Sequence, residues 1–509
     1  MASSVIGSRV SAPRQSIWTG DTALLIYIAL ATVVIHIITG NRYGFQRDEL
    51  ATLDDARHLA WGYPAYPPVT PFFGRISLIL FGTSIVGFRF FAAVAQAVGL
   101  LLTGLMAREL GGRRGAQLVA AVAAIPFALG GGALMQYVSF DYICWVLTAY
   151  FLVRLLKSED PRWWAAIGAG IGFGMLSKYT IGFFVLSIVA GVLLTDTRRF
   201  LRSKWLWAGV AISLVIFLPN LLWQVQHNLV SLDFLKHIHA RDIREGRTQH
   251  FLPEQLALTF LRFPLAVAGL YFYFSRDGRR FRMLGWMYLI TLLLFTIAKG
   301  RWYYMGPAYP MLYAAGAVWG EHWLASMQRT RAMTVRWTVW TALTVDVLFT
   351  IAFWLPTAPV TSGWWKISNA VQGDYREEMG WPELVQEVAK IRDTLTPEER
   401  AHLGIIGTNY GEAGAVNLYG PQYGLPRAIS GINSFWQRGY GDPAPQTLIV
   451  IGLDQDEVAE HFESCRLAGH TWNRYGVKNE ETEDHPDIFV CGPPKQGWPT
   501  FWKHFRYYG

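Results

Sequence analysis

The sequence predicts a polytopic α-helical membrane protein with about eleven transmembrane helices and a C-terminal extracytoplasmic α/β domain. Of its 509 residues, 52% are hydrophobic and only 16% are charged, against about 25% charged in an ordinary soluble domain. Apolar stretches long enough to cross a bilayer, about 17 to 25 residues each, recur as far as Leu355 and then stop. This composition excludes a disordered chain and a disulfide-dense secreted scaffold.

The predicted helices are the apolar stretches themselves. They are residues 22 to 40, 84 to 107, 116 to 135, 140 to 156, 163 to 177, 179 to 195, 205 to 224, 254 to 274, 283 to 298, 308 to 325 and 335 to 355. Stretch 163 to 177 is short and has glycine at every second position from Gly168 to Gly174. Because these glycines lack the spacing of a dinucleotide-binding loop, they indicate close helix packing through small residues.

The distribution of Lys and Arg predicts the orientation, because cytoplasmic loops retain positive charge during insertion. Arg9 and Arg14 precede the first span, and every second loop after it is basic. We therefore expect a cytoplasmic N-terminus and, with an odd number of helices, a C-terminus on the other side. The net charge of +8 then marks the inner loops, so the expected partner is anionic lipid and not nucleic acid.

The composition changes at residue 356, which predicts two domains, 1–356 in the membrane and 357–509 outside it. Residues 357–509 contain 13 basic and 20 acidic residues, against 32 and 17 in residues 1–356. Short apolar runs at 403–407, 448–451 and 488–491 alternate with helical patterns at 381–395 and 456–463, which is typical of an α/β domain. Since this domain is exported, a disulfide between Cys465 and Cys491 is a reasonable hypothesis.

Charged and hydroxyl side chains collect on the predicted outer face, where charge at membrane depth indicates function. The four clusters are Arg47, Asp48 and Glu49; Ser139 and Asp141; Lys178 and Tyr179; and Lys299, Arg301, Tyr303 and Tyr304. The carboxylates can act as a general base beside an acceptor hydroxyl. The cations can neutralise a phosphate leaving group, so together the clusters indicate group transfer from a lipid phosphate.

Structural alternatives exist for each cluster. Asp48 and Glu49 suit the first turn of a helix, and Asp141 suits a helix N-cap partner. The three cations suit side chains that extend to the membrane interface. Within the first outer loop, residues 41 to 83, the stretch 48 to 61 has the pattern of an amphipathic helix lying on the membrane.

Five segments together carry a family resemblance. They are residues 44 to 72 (GFQRDELATLDDARHLAWGYPAYPPVTPF), 139 to 141 (SFD), 176 to 180 (LSKYT), 299 to 310 (KGRWYYMGPAYP) and 409 to 415 (NYGEAGA). The chain resembles the bacterial family 39 glycosyltransferases, which are related to the dolichyl-phosphate-mannose protein mannosyltransferases and the lipid A aminoarabinose transferases. The resemblance implies the GT-C membrane fold and a bacterial cytoplasmic (inner) membrane location with the C-terminal domain in the periplasm.

The resemblance also implies transfer of a sugar from a polyprenyl-phosphate donor to a glycan, lipid or protein acceptor. It assigns Asp48 as base, with Glu49 and Asp141 as further acidic residues. It places Lys178 at the cavity, and Arg301, Tyr303 and Tyr304 at the donor phosphate. Two other activities are alternatives: a transporter or flippase of a lipid-linked sugar, and a ligase or polymerase of lipid-linked glycans. A transporter would be expected to show internal repeats.

No cofactor is required by this pattern, although a divalent cation is an optional partner. His237 and His239, with Asp233, are weak candidates for a metal site, because two histidines at i and i+2 suit a strand and no third ligand has convincing spacing. In the C-terminal domain, Glu412 either reaches the site or caps a helix.

Overall fold

The structure is a computed structural model that describes residues 20–509. Arg9 and Arg14, on which the predicted cytoplasmic N-terminus partly depends, lie outside this range. The helices as far as residue 354 are α1 Asp21–Thr39, α2 Arg47–Arg57, α3 Val69–Phe81, α4 Ile85–Glu109, α5 Arg114–Gly132, α6 Tyr137–Ser158, α7 Trp163–Met175, α8 Ile181–Leu194, α9 Lys204–Gln226, α10 Val230–Arg244, α11 Phe251–Thr259, α12 Phe263–Phe274, α13 Arg282–Ile297, α14 Tyr309–Ala325 and α15 Arg329–Trp354.

Each predicted span is helical over most of its length, and the chain is a multi-pass membrane protein. Among residues 20–509, eight helical segments are long and apolar enough to cross a bilayer, or nine if α8 and the 3-10 helix Asp196–Arg202 form one bent span. The predicted span 254 to 274 is broken into α11 and α12 by the turn Phe260–Arg262. The break falls where Phe260 has a φ of 43°, a value that bulky residues rarely adopt.

The glycines of α7 serve helix packing, as the sequence predicts. A Cβ atom on Gly168 would lie 2.0 Å from the carbonyl oxygen of Gly209 on α9. Gly172 likewise faces Ile216, whose Cβ would lie 2.8 Å from an added Cβ. Only glycine permits helices to approach this closely.

The C-terminal part is an α/β domain, which confirms the predicted fold class. Its elements are α16 Gly363–Gln372, α17 Trp381–Thr394, α18 Pro397–Ala401, β1 Leu403–Gly407, α19 Tyr410–Tyr419, β2 Ala428–Ile429, α20 Asn433–Trp436, β3 Thr447–Ile451, α21 Gln455–His461, β4 Arg466–His470, α22 Glu480–Glu483, β5 Asp487–Cys491 and α23 Trp498–His504. The five strands form one mixed sheet in the order β2-β1-β3-β5-β4. The pairs β1–β2 and β1–β3 are parallel, and β3–β5 and β4–β5 are antiparallel.

The three predicted strands are β1, β3 and β5, and the predicted disulfide between Cys465 and Cys491 is confirmed. The sequence missed β2, which has two residues, and β4, whose residues RLAGH show no apolar run. The boundary at residue 356 falls between α15 and α16, and the division into two domains stays a prediction.

The environment of α2 differs from the one that the sequence predicts. It forms within the predicted stretch, but its apolar residues Leu50 and Leu53 are fully buried in a cluster with Ala413 and Val416 of α19. The prediction that this helix lies on the membrane is therefore wrong, because the C-terminal domain covers its apolar face. A Cβ atom on Gly414 would lie 2.9 Å from the carbonyl oxygen of Leu50, so α19 rests directly on the backbone of α2.

This contact predicts a sharp difference between two glycine substitutions. Gly414→Ala should lower the free energy of unfolding by about 1 to 3 kcal/mol, because an added methyl group has no room. Gly363→Ala is the matched control, since nothing lies within 4 Å of an added Cβ there. Thermal melting in detergent measures both, and equal melting temperatures would contradict the close contact between α2 and α19.

Candidate active site

One cavity of about 570 Å³ lies between α2, the ends of the membrane helices, α10 and the C-terminal domain. Its volume is that of a small-ligand site. Six of the residues predicted from sequence line it: Asp48, Lys178, Tyr179, Lys299, Arg301 and Tyr304. Three of the four predicted clusters thus contribute directly to one cavity, although they are far apart in the sequence.

Asp48 enters the cavity from the first turn of α2. Helix α2 begins with a capping box, in which Gln46 Oε1 accepts a hydrogen bond from the Asp48 N–H at 2.7 Å, and Glu49 accepts one from the Gln46 N–H at 3.0 Å. Gln136 Nε2 donates to Asp48 Oδ2 at 3.0 Å, and Tyr410 lines the same cavity, with its hydroxyl placed to donate to this carboxylate. This carboxylate is therefore oriented from two sides.

The pKa of Asp48 is raised above its ordinary range. Removal from water is the main cause, and the hydrogen bond from Tyr410 and the charges of Arg47 and Arg301 oppose it. A raised pKa makes a carboxylate a stronger base once it is ionised, which fits the role predicted for Asp48.

Lys178 lies in an aromatic cage. Its Nζ atom lies 4.0 Å from the ring centre of Tyr304, 4.9 Å from that of Tyr137 and 5.2 Å from that of Tyr303. Three rings attract the ammonium group by cation–π interaction. Lys178 is therefore held in the cavity wall and is not a side chain that merely extends to the interface.

Asp141 lies behind Lys178. It interacts electrostatically with Lys178, and its carboxylate accepts hydrogen bonds from the Trp145 Nε1–H at 2.9 Å and the Thr180 hydroxyl at 3.3 Å. Asp141 is 5% exposed and is absent from the cavity wall. Its buried carboxylate is thus a negative charge near Lys178, outside the cavity wall.

Arg301 is fixed by a residue that the sequence reading missed. Its Nε and Nη2 atoms donate to the two carboxylate oxygens of Asp242 at 2.6 and 2.8 Å, and its Nη1 lies 3.5 Å from the Tyr303 hydroxyl. Asp242 belongs to α10, a helix that lies between two of the predicted spans. In the sequence, Asp242 is marked only as an acidic residue in a predicted outer segment, which does not reveal that it pairs with Arg301.

Glu49 contributes to the packing of α2 and does not face the cavity. It is fully buried and forms an ion pair with Arg89 of α4 at 2.6 Å, and it accepts a hydrogen bond from the Met135 N–H at 2.8 Å. It does not line the cavity. We therefore assign Glu49 to the support of α2, in place of the catalytic role expected from the sequence.

Arg47 and Ser139 also lie away from the cavity wall. Arg47 pairs with Glu377, Glu480 and Glu481 of the C-terminal part at 3.1, 2.5 and 2.9 Å. The Ser139 hydroxyl donates to the Gly131 carbonyl oxygen at 2.6 Å. Arg47 thus ties α2 to the C-terminal domain, and Ser139 joins the end of α5 to the start of α6.

Among the described residues, His237 and His239 do not belong to a group of three side chains close enough to hold a metal ion. His237 and His239 lie on α10, a helix and not a strand, and His237 packs beside the ring of Tyr508. Within residues 20–509, the carboxylate and histidine groups close enough to share an ion are Asp454, Glu457 and His485, outside the cavity. Glu412 accepts hydrogen bonds from the Thr408 and Asn409 N–H groups at 2.8 and 3.1 Å, so it caps α19.

The chain is similar to known membrane glycosyltransferases in sequence and in fold. A family model described as dolichyl-phosphate-mannose-protein mannosyltransferase matches residues 65–223, a range that includes Asp141 and Lys178. The chain has the GT-C fold of a crystal structure of ArnT from Cupriavidus metallidurans bound to undecaprenyl phosphate, with a TM-score of 0.62, 14% identity, and coverage of 93% of this chain and 98% of that chain. The predicted resemblance and fold class are confirmed.

Two curated relatives are also similar. The lipid A galacturonosyltransferase RgtD of Rhizobium johnstonii is 26% identical over 31% of this chain and 33% of that protein. An undecaprenyl phosphate-alpha-4-amino-4-deoxy-L-arabinose arabinosyl transferase of Pseudomonas fluorescens is 25% identical over 44% of this chain and 42% of that protein. The chain therefore spans less than half the length of the curated relatives it matches.

The placement of the two neighbouring carboxylates predicts that their substitutions have unequal effects on the free energy of unfolding. Glu49→Gln should lower the free energy of unfolding by about 3 kcal/mol, because it removes the charge that balances buried Arg89. Asp48→Asn should change it by less than about 1 kcal/mol, since Asp48 faces a cavity. Thermal denaturation of both variants measures the difference. A Glu49→Gln variant that melts like the wild type would contradict the structural assignment of Glu49.

Proposed function

We propose that the protein is a glycosyltransferase that moves a sugar from a polyprenyl-phosphate donor to a hydroxyl or phosphate oxygen of an acceptor on the extracytoplasmic side. The observation that carries this proposal is the cavity itself, which is lined by a carboxylate and several cations. Asp48 supplies a base, and Lys178 and Arg301 supply charge for a phosphate.

In the proposed reaction the donor phosphate lies against Lys178, Lys299 and Arg301. The acceptor oxygen attacks C1 of the sugar, and the bond between C1 and the phosphate oxygen breaks. Asp48 takes the proton of the acceptor, while the polyprenyl phosphate leaves with the bonding electron pair on its oxygen. One displacement inverts the configuration at C1.

The arrangement of the cations suits this chemistry. The tyrosine cage holds the ammonium of Lys178 through ring faces, which attract the cation without accepting conventional hydrogen bonds. Asp242 holds one edge of the Arg301 guanidinium, so this planar group is fixed in one orientation before a ligand binds. Preorganised charges stabilise a developing phosphate anion more than mobile ones do.

The relatives support the choice of substrates. Two of them are named for lipid A or for an undecaprenyl phosphate sugar, which favours a polyprenyl-phosphate donor and, among glycan, lipid and protein acceptors, a lipid. We place the protein in the bacterial cytoplasmic membrane, with the N-terminus inside and the C-terminal domain in the periplasm. We assign no step to a divalent cation, because three side-chain cations already face the proposed phosphate site.

The test of this function is release of polyprenyl phosphate. Purified protein in lipid vesicles is incubated with a panel of undecaprenyl-phosphate sugars and with candidate lipid acceptors. We expect one donor to be turned over, and Asp48→Asn to reduce the rate at least about 100-fold. The matched control is Asp393→Asn, an exposed carboxylate of α17, which should leave the rate unchanged.

Two results would contradict the proposal. If Asp48→Asn turned over donor as fast as the wild type, Asp48 would not be the base. If lipid-linked sugar crossed the vesicle membrane with no donor cleaved, the protein would be a transporter. Growth of a long glycan on one lipid would instead indicate a polymerase.

The cage around Lys178 generates a separate prediction. Lys178→Gln shortens the side chain by one atom and removes its charge, so kcat/KM for the donor should fall about 100-fold or more. Lys366→Gln, on the exposed surface of α16, is the control and should have no effect. An unchanged donor kcat/KM in Lys178→Gln would remove Lys178 from the proposed phosphate site.

A further inference from the structure

Tyr410 is the first residue of α19, in the C-terminal domain, yet it lines the cavity beside Asp48. Its hydroxyl is placed to donate a hydrogen bond to the Asp48 carboxylate, which lines the same cavity. A group from the C-terminal domain therefore faces the proposed base.

The position of Tyr410 is determined by contacts on both sides of it. Before it, Asn409 caps α19 by accepting a hydrogen bond from the Glu412 N–H at 2.8 Å. After it, Gly411 packs on Trp381, whose Cη2 atom would lie 2.6 Å from an added Cβ. The start of α19 therefore has little freedom to move.

One carboxylate joins this helix start to that of α2. Glu481 Oε1 accepts a hydrogen bond from Arg47 Nη2 at 2.9 Å and from Asn409 Nδ2 at 3.2 Å. Arg47 directly precedes Asp48, and Asn409 directly precedes Tyr410. Glu481 thus fixes the base and its hydroxyl partner relative to each other.

From this geometry we propose that Tyr410 is a positioning residue, which holds the Asp48 carboxylate in one orientation for proton transfer. The C-terminal domain then completes the active site, and does not merely cover it. This inference rests on the proposed function, because it assigns Tyr410 to the same base.

The surroundings of Asp48 make the effect of this hydroxyl measurable. The titratable and charged groups that act on Asp48, or on which Asp48 acts, are Arg47 and Glu49 of α2, Tyr137 of α6, Arg301, Tyr410 of α19 and Asp374. The hydrogen bond from Tyr410 favours the ionised form of the carboxylate and lowers its pKa. Its removal should therefore raise the pKa of Asp48 further.

The test is the pH dependence of kcat/KM for the donor in the full-length protein. Tyr410→Phe removes only the hydroxyl, so the acid limb of the profile should move to higher pH by about one unit, with much of the activity recovered at high pH. Tyr440→Phe is the matched control. Tyr440 belongs to the same domain and stacks on Trp498, away from the cavity, so its profile should coincide with that of the wild type.

A second variant tests the same hydrogen bond in the opposite direction. Incorporation of 3-fluorotyrosine at position 410 makes the phenol a stronger donor, so the acid limb should move to lower pH. This variant keeps the ring and the hydroxyl, and remains informative if Tyr410→Phe does not fold.

The outcomes separate this inference from the proposed function. If the wild type cleaves no donor, or if Asp48→Asn remains fully active, the proposed function fails first. If Asp48→Asn is inactive but the acid limb stays in place in both position-410 variants, Tyr410 has no influence on the base and this inference alone is overturned.

Discussion

The buried ion pair between Arg89 and Glu49 is the constraint on which the rest of the site depends. The Arg89 guanidinium donates to Glu49, to the Gly40 carbonyl oxygen at 3.0 Å and to Glu378 at 3.1 Å. It thereby joins the end of α1, the start of α2, α4 and the C-terminal part of the chain. Asp48 directly precedes Glu49, so this pair holds the start of the helix that carries the proposed base, and breaking a buried pair is costly.

The C-terminal domain provides the second support for the same helix. Near the other end of α2, Arg438 pairs with both Asp54 and Asp55, and the Ser434 hydroxyl donates to Asp55 at 2.7 Å. Asp55 and Ser434 both line the cavity. The membrane part thus supplies the cations of the site, α2 supplies the proposed base, and the C-terminal domain fixes α2 along its length.

Sequence alone predicted the helices of the membrane part because long apolar stretches have no other stable structure in lipid. It also identified Asp48, Lys178 and Arg301, since charges near a membrane face stand out. It could not separate Asp48 from Glu49, because adjacent residues on a helix point in different directions and only packing decides which one meets Arg89. Tyr137, Asp242 and Tyr410 were missed because their roles come from contacts between segments distant in the sequence, and an isolated tyrosine or aspartate carries no such signal.

The most direct test of this account is the structure of the protein with undecaprenyl phosphate bound, determined by cryo-electron microscopy. The account predicts the phosphate within hydrogen-bonding distance of Lys178 and Arg301, beside the ring of Tyr304 and in the same cavity as Asp48. A phosphate bound outside this cavity, with Lys178 still enclosed by its three tyrosines and making no contact to the lipid, would contradict it.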